Sequence, residues 1–467
     1  MNTFTRKTLY AAIAGAATIG VAGTAQAVNV SADGLGQVLI YPYYTVQKNA
    51  AGQPYNTLMS VVNTTSTTKA VKVRFREGRN SVEVLDFNLF LSPWDVWTAA
   101  LTPTADGGGQ IATADKSCTI PSFTTGVAVP FRTLGLEAGD NAASRTAEGY
   151  IEIFEMATET GATAAKALHV AGVPACGITD AGALADQAPP TGGLFGGVTI
   201  VNPAGGGAFS NAATALANFN PTAAYTRQDI GSALTPGYKD AIPISNVIQG
   251  GTLYSSVWGN GQNAVTAVLL GNAVTNEYVL DAGSKSQTSW VITMPTKYDY
   301  VNGTTPVPPF TSKYVTKVGA CEATFGVVFN REEASPQIVT SVDFSPQVPG
   351  TPGPVICWEA NVLTFNAGNV FGSANTNNQT TTFTNGWATY GFNDPSSAAV
   401  HLMTPLSTLA FNLSSGTTGP ATVTYYGLPV VGFAAQTFNN DAIVISGKTY
   451  LSTFGATFVH HKTTRIQ

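Results

Sequence analysis

Short runs in which apolar and polar residues alternate recur along most of this 467-residue chain. The clearest covers residues 70–76. Val71, Val73 and Phe75 fall on one side and Lys72, Arg74 and Arg76 on the other, and a period of two predicts a strand with one wet face. Residues 82–91 repeat the pattern: Leu85, Phe87, Leu89 and Leu91 oppose Asp86 and Asn88 until Ser92-Pro93 ends the run. Residues 38–41 and 57–63 read as shorter strands, with polar turns at 63–68 and 78–81. Short strands at near-regular spacing, separated by turn residues, predict a sandwich or a barrel. Residues 38–100 read as the start of an immunoglobulin-like β-sandwich.

Residues 149–156 and 193–201 extend the pattern, residues 204–207 form a flexible break, and residues 211–219 suit a short helix. Residues 221–243 are polar and punctuated by Pro and Gly, which marks them as a linker. Beyond them, strands are expected at 252–257, 264–270, 277–280, 289–294, 325–330, 337–342, 355–363, 386–392, 421–426, 428–436 and 442–445. Tandem repeats are absent, which counts against a propeller or β-helix. The expected fold is all-β: two immunoglobulin-like β-sandwich halves with long loops, an N-terminal domain at 28–220 and a C-terminal domain at 244–467.

Residues 1–27 depart from this pattern. Arg6 and Lys7 precede an uncharged run at 9–24, and Ala25-Gln26-Ala27 ends it with small residues. That is the form of a secretory signal peptide. The mature chain then begins at Val28, and its expected location is extracellular or at the cell surface, with the periplasm as the other compartment. No later segment is apolar enough for a helical membrane span.

Only 10% of residues are charged, against about 25% in ordinary globular proteins. Without the leader's two basic residues, 20 basic side chains face 27 acidic ones, a formal charge of −7. Nothing basic clusters, which argues against a nucleic-acid partner. A surface of neutral amides, hydroxyls and apolar groups suits packing against further copies of the same chain. It equally suits an ordinary secreted β protein.

Candidate chemistry is sparse. Cys118, Cys176, Cys321 and Cys357 are widely spaced, so an exported chain predicts two disulfides, with the sequential pairing favoured because each bridge then stays within one half. His169, His401, His460 and His461 have no metal-site spacing, there is no GxSxG elbow, and Ala204-Gly205-Gly206-Gly207 lacks a P-loop ending. No metal or cofactor is implied. Glu148, Glu152 and Glu155, and Glu332-Glu333, could serve glycoside hydrolysis or calcium binding; the favoured readings are a solvated strand edge or pairing with Arg74, Arg76 or Arg331. Tyr41, Tyr43, Tyr44, Trp94 and Trp97 are candidate contact aromatics for a sugar or a partner, with core packing as the commoner use of such residues.

Several of these segments carry a resemblance. Tyr41-Pro42-Tyr43-Tyr44, Ser60-Val61-Val62-Asn63-Thr64-Thr65, Val71-Lys72-Val73-Arg74-Phe75 and Leu91-Ser92-Pro93-Trp94-Asp95 belong to it. So do Trp290-Val291-Ile292-Thr293-Met294-Pro295, Asn330-Arg331-Glu332-Glu333 and Cys357-Trp358-Glu359-Ala360-Asn361. The chain resembles a family of uncharacterised exported cell-surface proteins of Gram-negative bacteria. The resemblance implies export and a surface setting and carries no catalytic residues. The expected function is that of a non-enzymatic cell-surface or matrix protein acting by self-assembly or adhesion, with surface polysaccharide as a second partner class. An outer-membrane β-barrel and a secreted polysaccharide hydrolase are the alternatives.

Overall fold

The computed structural model describes residues 27–137, 142–226, 243–334, 337–339, 355–393 and 400–467. The expected leader lies outside them except for Ala27, as do residues 227–242 of the expected linker and 340–342 of one expected strand. Strands make up 50% of the structure and helices 8%. The fold is all-β and sandwich-like.

Among the described residues, four sheets of five or more strands build it, with four small sheets of two or three strands beside them. The largest has twelve strands, with Val38–Thr45, Glu148–Glu159, Thr68–Glu77 and Glu83–Leu91 adjacent toward one end of it. Against it packs a six-stranded sheet containing Asn56–Asn63, Val96–Pro103 and Leu194–Val201. Val71, Val73, Phe75 and Ile151 from the first meet Met59, Val61, Trp97 and Leu101 from the second in one core. The alternation read at residues 70–76 and 82–91 is the cause: every second side chain points to this interface.

Two five-stranded sheets form a second sandwich. One, the groove sheet, is ordered Gln337–Val339, Phe325–Asn330, Asn385–Gly391, Ala273–Val279, His461–Thr463. The other, the hairpin sheet, is ordered Thr376–Gln379, Ala360–Phe365, Gln287–Thr293, Val431–Ile445, Lys448–Val459. Trp290, Ile292, Leu363, Phe365 and Ala434 meet Val274, Tyr278, Val328 and Tyr390 between them. The other face of the hairpin sheet is buried as well, where Val291, Val362, Phe433 and Ala435 pack with Tyr43, Tyr55, Ile200 and Phe209.

That second face corrects the expected division at residues 221–243, because the two halves share cores. They also share a sheet: Ala27–Val30 lies between Thr214–Ala217 and Ile244–Gln249, so the twelve-stranded sheet runs through both. Direct hydrogen bonds cross between the halves. Thr293 Oγ1 donates to the Pro42 carbonyl at 2.6 Å, Ala360 N to the Gly78 carbonyl at 2.8 Å, and Tyr55 Oη to the Val370 carbonyl at 2.6 Å. None of the described sheets closes into a barrel, so the barrel alternative finds no closed sheet here.

Two local expectations are overturned. The helix expected at 211–219 is strand: Ala208–Ala212 pairs with Leu194–Val201, and Thr214–Ala217 with Val38–Thr45. Ladder pairing, on one side for Ala208–Ala212 and on both for Thr214–Ala217, outweighs the helix propensity of the alanines. The strand expected at 264–270 is helix Gly261–Leu269, started by the Asn260 side chain accepting from Asn263 N at 2.8 Å. A short run that is apolar but for Thr266 has no periodicity to tell strand from buried helix.

The cysteines pair sequentially, Cys118 with Cys176 and Cys321 with Cys357. The loops span 58 and 36 residues. In the chain-entropy account each link stabilises the fold by about 4 kcal/mol.

Candidate functional site

The structure separates the aromatic residues singled out from the sequence. Tyr41, Tyr43, Tyr44 and Trp97 are fully buried, so they are not contact residues but core ones. Tyr43 donates to Glu148 Oε2 at 2.6 Å and Tyr41 to the Ser60 carbonyl at 2.8 Å, which satisfies their hydroxyls. Only Trp94 is exposed, at 69%, on a turn with a left-handed φ of 60°. The five residues do not form one surface.

The carboxylates are also placed differently from the wet strand face that alternation predicted. Glu148, Glu152 and Glu155 are buried, and so are Lys72, Arg74 and Arg76. Glu152 sits opposite Arg74 in the sheet, with Oε2 3.3 Å from Arg76 Nε and 3.7 Å from Arg74 Nη1. Arg74 Nε reaches Glu83 at 2.5 Å and Lys72 reaches Asp86 at 3.3 Å. Glu155 pairs with Lys69 at 2.7 Å, and Glu148 accepts from Ser373 Oγ at 2.6 Å and Ala374 N at 2.8 Å. The expected pairing with arginine is adopted by Glu152 alone; Glu155 takes a lysine, and Glu148 accepts from hydroxyls and a backbone N–H. Enclosed in this way, Glu152 cannot meet a polysaccharide. Glu332, in contrast, is exposed and paired with Arg331.

The network continues toward the second half. Arg145 bridges Glu77 at 2.8 Å and Glu137 at 3.4 Å, and Tyr314 donates to Glu137 at 2.7 Å. Lys297 is fully buried and donates to the carbonyls of Cys357 and Trp358. Burial pushes its ammonium down to about 8 and holds the buried Glu359 carboxyl well above the usual carboxylate range, against the pull of Lys297. Among the described residues no group of three or more His, Cys, Asp or Glu is placed to hold a metal.

His460 and His461 diverge. His461 is exposed, while His460 is half-buried and doubly held: Nε2 donates to the Val291 carbonyl at 2.9 Å, and Nδ1 faces Asn276 Nδ2 at 3.1 Å. The Asn276 amide is oriented by its own bonds, accepting from Glu277 N and donating to the Phe458 carbonyl. A proton on Nδ1 would confront an N–H donor. Burial, first, pushes this imidazole down to about 4, with His461 adding to the effect.

The surface feature that stands out was not singled out from the sequence. Strands Val431–Ile445 and Lys448–Val459 form one hairpin, joined by Ser446-Gly447 with φ of 51° and 74°. Left-handed φ at both turn residues matches the twist of a two-residue hairpin. The hairpin starts inside the molecule, where Phe433, Ala434 and Ala435 are fully buried. It leaves the body past Asn439, which still donates from its backbone to the Ser284 carbonyl. Residues 444–450 are all exposed.

Its register puts Ile445, Tyr450, Phe454 and Phe458 on one face, exposed at 57%, 49%, 60% and 40%. Val444, 67% exposed, lies on the other face. Lys448–Val459 is also the edge strand of its sheet, and Lys448 at the turn is its only charged residue. Natural edge strands are usually blunted by charge, Pro or bulges. The sequence signal was a Ser-Gly pair between two apolar runs, which marks a hairpin.

No protein-family model, curated protein or solved structure matches this chain.

Proposed function

We propose that this is an exported, non-enzymatic surface protein that works by assembling with further copies of itself. The observation that carries the reading is the hairpin of residues 431–459, with four large apolar side chains on one exposed face and an edge strand whose only charge is Lys448 at the turn. Residues 453–457 of that edge already pack against Ala208–Ala212, with Thr457 Oγ1 bonded to the Ser210 carbonyl, so two copies can join edge to edge through its outer residues 448–452, giving a self-complementary contact about a two-fold axis. Two disulfides are compatible with an extracellular or periplasmic location. The leader-like sequence and the resemblance to exported surface proteins support the same setting.

Each exposed apolar residue on that face offers roughly 100 Å² for burial, about 2.5 kcal/mol apiece. Sedimentation across a concentration series, followed by electron microscopy, tests the reading. The mature protein is expected to form dimers or larger assemblies above about 10 µM. Tyr450→Asp with Phe454→Asp should weaken association by about 1000-fold or more and leave the thermal melt unchanged. A wild-type protein that stays monomeric throughout refutes it.

A further inference from the structure

The outer face of the groove sheet carries a row of side chains in direct cross-strand register: Phe329, Trp387, Glu277. Trp387 stacks on Phe329 with ring centroids 4.0 Å apart and planes 10° from parallel. Phe329 and Glu277 flank it from opposite sides, so the indole face not covered by Phe329 is turned toward Glu277. Trp387 stays 41% exposed on a surface where a water-facing sheet would carry polar residues.

A hollow opens on each side of this row. One, of about 720 Å³, is lined by Glu277, Asp281, Ser284, Arg331, Asn385 and Trp387. The other, of about 480 Å³, is lined by Thr275, Asn276, Glu277, Trp387, Phe458 and His461. Glu277 and Trp387 belong to both, so the hollows are two ends of one groove. Along the strand from Thr275 toward Asp281 the groove is about 20 Å long, room for roughly three or four sugar rings.

We propose that this groove binds a neutral polysaccharide. An exposed indole offers an apolar platform for the C–H face of a pyranose ring, and the groups beside it are those that hydroxyls bond. The Glu277 carboxylate accepts no hydrogen bond and makes no ion pair among the described residues. Asp281 is held in place by Ser284, whose N and Oγ lie 2.8 and 2.9 Å from Oδ2. Asn385 adds an amide, and Thr275 a hydroxyl bonded to Thr389 at 3.0 Å.

Charge selects the class of glycan. Glu277 and Asp281 are acidic, and the groove's one arginine, Arg331, is already paired with Glu332. A uronate or sulfated chain would meet the Glu277 carboxylate, which has no cationic partner among the described residues, whereas a neutral chain meets acceptors for its hydroxyls. The proposal does not rest on the self-assembly reading: the groove borrows Phe458 from the base of the hairpin but uses none of its outer residues 444–454.

Calorimetric titration of the full mature chain with cellohexaose, chitohexaose and laminarihexaose tests it, with an alginate hexamer as the anionic probe. At least one neutral hexasaccharide should bind and the alginate should not. Trp387→Ala should weaken that binding by about 10-fold or more, as loss of a central anchor does. Trp387→Tyr should retain most of it, and Glu277→Gln, an exposed and isosteric change, should weaken it with the fold intact. Tyr450→Asp with Phe454→Asp, which removes assembly, should bind as wild type does. Absence of binding to all three neutral sugars, tighter binding to alginate, or binding unaffected by both Trp387→Ala and Glu277→Gln would overturn the proposal.

Discussion

Replacing Glu152 by leucine tests the buried charge cluster. Glu152 lies mid-strand in Glu148–Glu159, fully enclosed, with its carboxylate between Arg76 and Arg74. Arg76 also donates Nη1 to the Ser81 carbonyl at 2.7 Å, which fixes its head in place. Taking away the carboxylate leaves two guanidinium groups side by side, with Glu83, itself 27% exposed, as the nearest remaining anion. Breaking a buried pair from one side costs about 3–5 kcal/mol, because the partner charge stays desolvated. At about 2.1 cal/mol/K of unfolding entropy per residue, a chain of this length loses about 1 °C per kcal/mol, so Glu152→Leu should lower the melting temperature by about 3–5 °C. The urea midpoint should fall with an unchanged slope. Adding Arg74→Met and Arg76→Met removes the stranded charges and should recover most of the loss. A single variant that melts within about 1 °C of wild type, or a triple variant no more stable than the single one, would refute the account.

The remaining tests address the shared core and the hairpin base. A site-specific protease sequence inserted between residues 227 and 242 should, once cut, leave two pieces that elute together, because the halves share a sheet and a core; separate elution without denaturant would restore independent domains. His460 is neutral in the fold, with its imidazole near 4 against an ordinary value of 6.5. Its contribution is therefore complete above pH 6.5 and is lost as pH falls from 6.5 toward 4, where the unfolded chain takes up a proton that the folded one refuses, at most about 3 kcal/mol. His460→Gln should flatten that stretch of the melting-temperature profile, and a variant profile parallel to wild type would count against it.

How far the sequence was legible depends on what each pattern encodes. Alternation at residues 70–76 and 82–91 placed Val71, Val73, Phe75, Phe87 and Leu89 in the core correctly, because strand geometry alone fixes which side chains share a face. It misjudged Lys72, Arg74 and Arg76 on the other face, since a polar face is wet only if nothing charged covers it. Their partners are Glu152 on one neighbouring strand and Glu83 and Asp86 on the other, and the cation face is enclosed together with them. The disulfide pairing was legible from sequence proximity. The break around residues 221–243 looked like a domain boundary because composition reports local backbone preference. What joins the halves is a pairing of Val28 with Ser245, more than two hundred residues apart. Trp387 and Glu277 could not be linked from the sequence either, because only the register of strands Asn385–Gly391 and Ala273–Val279 puts them side by side.

The distribution of charge ties the buried network to the bare surface. The chain has only 22 basic and 27 acidic residues. Lys69, Lys72, Arg74, Arg76, Glu77, Arg145, Glu148, Glu152, Glu155, Glu159, Lys297, Glu322 and Glu359 are nevertheless buried. Buried pairs add little net stability over apolar replacements, but a mispaired buried charge is costly. Charges between strands and between halves therefore penalise wrong registers more than they strengthen the right one. Drawing them inward leaves the outside poorer still in charge. The outer face of the six-stranded sheet shows the result: Ser60, Thr98, Ala100, Gly197 and Thr199 line it, with Leu58, Val96 and Phe195 exposed among them. Contact with such a face strips few ions of water, so association can proceed at small desolvation cost. The same face offers no like-charge repulsion to keep copies apart, which is the condition under which an open edge such as residues 448–452 of the hairpin finds a partner.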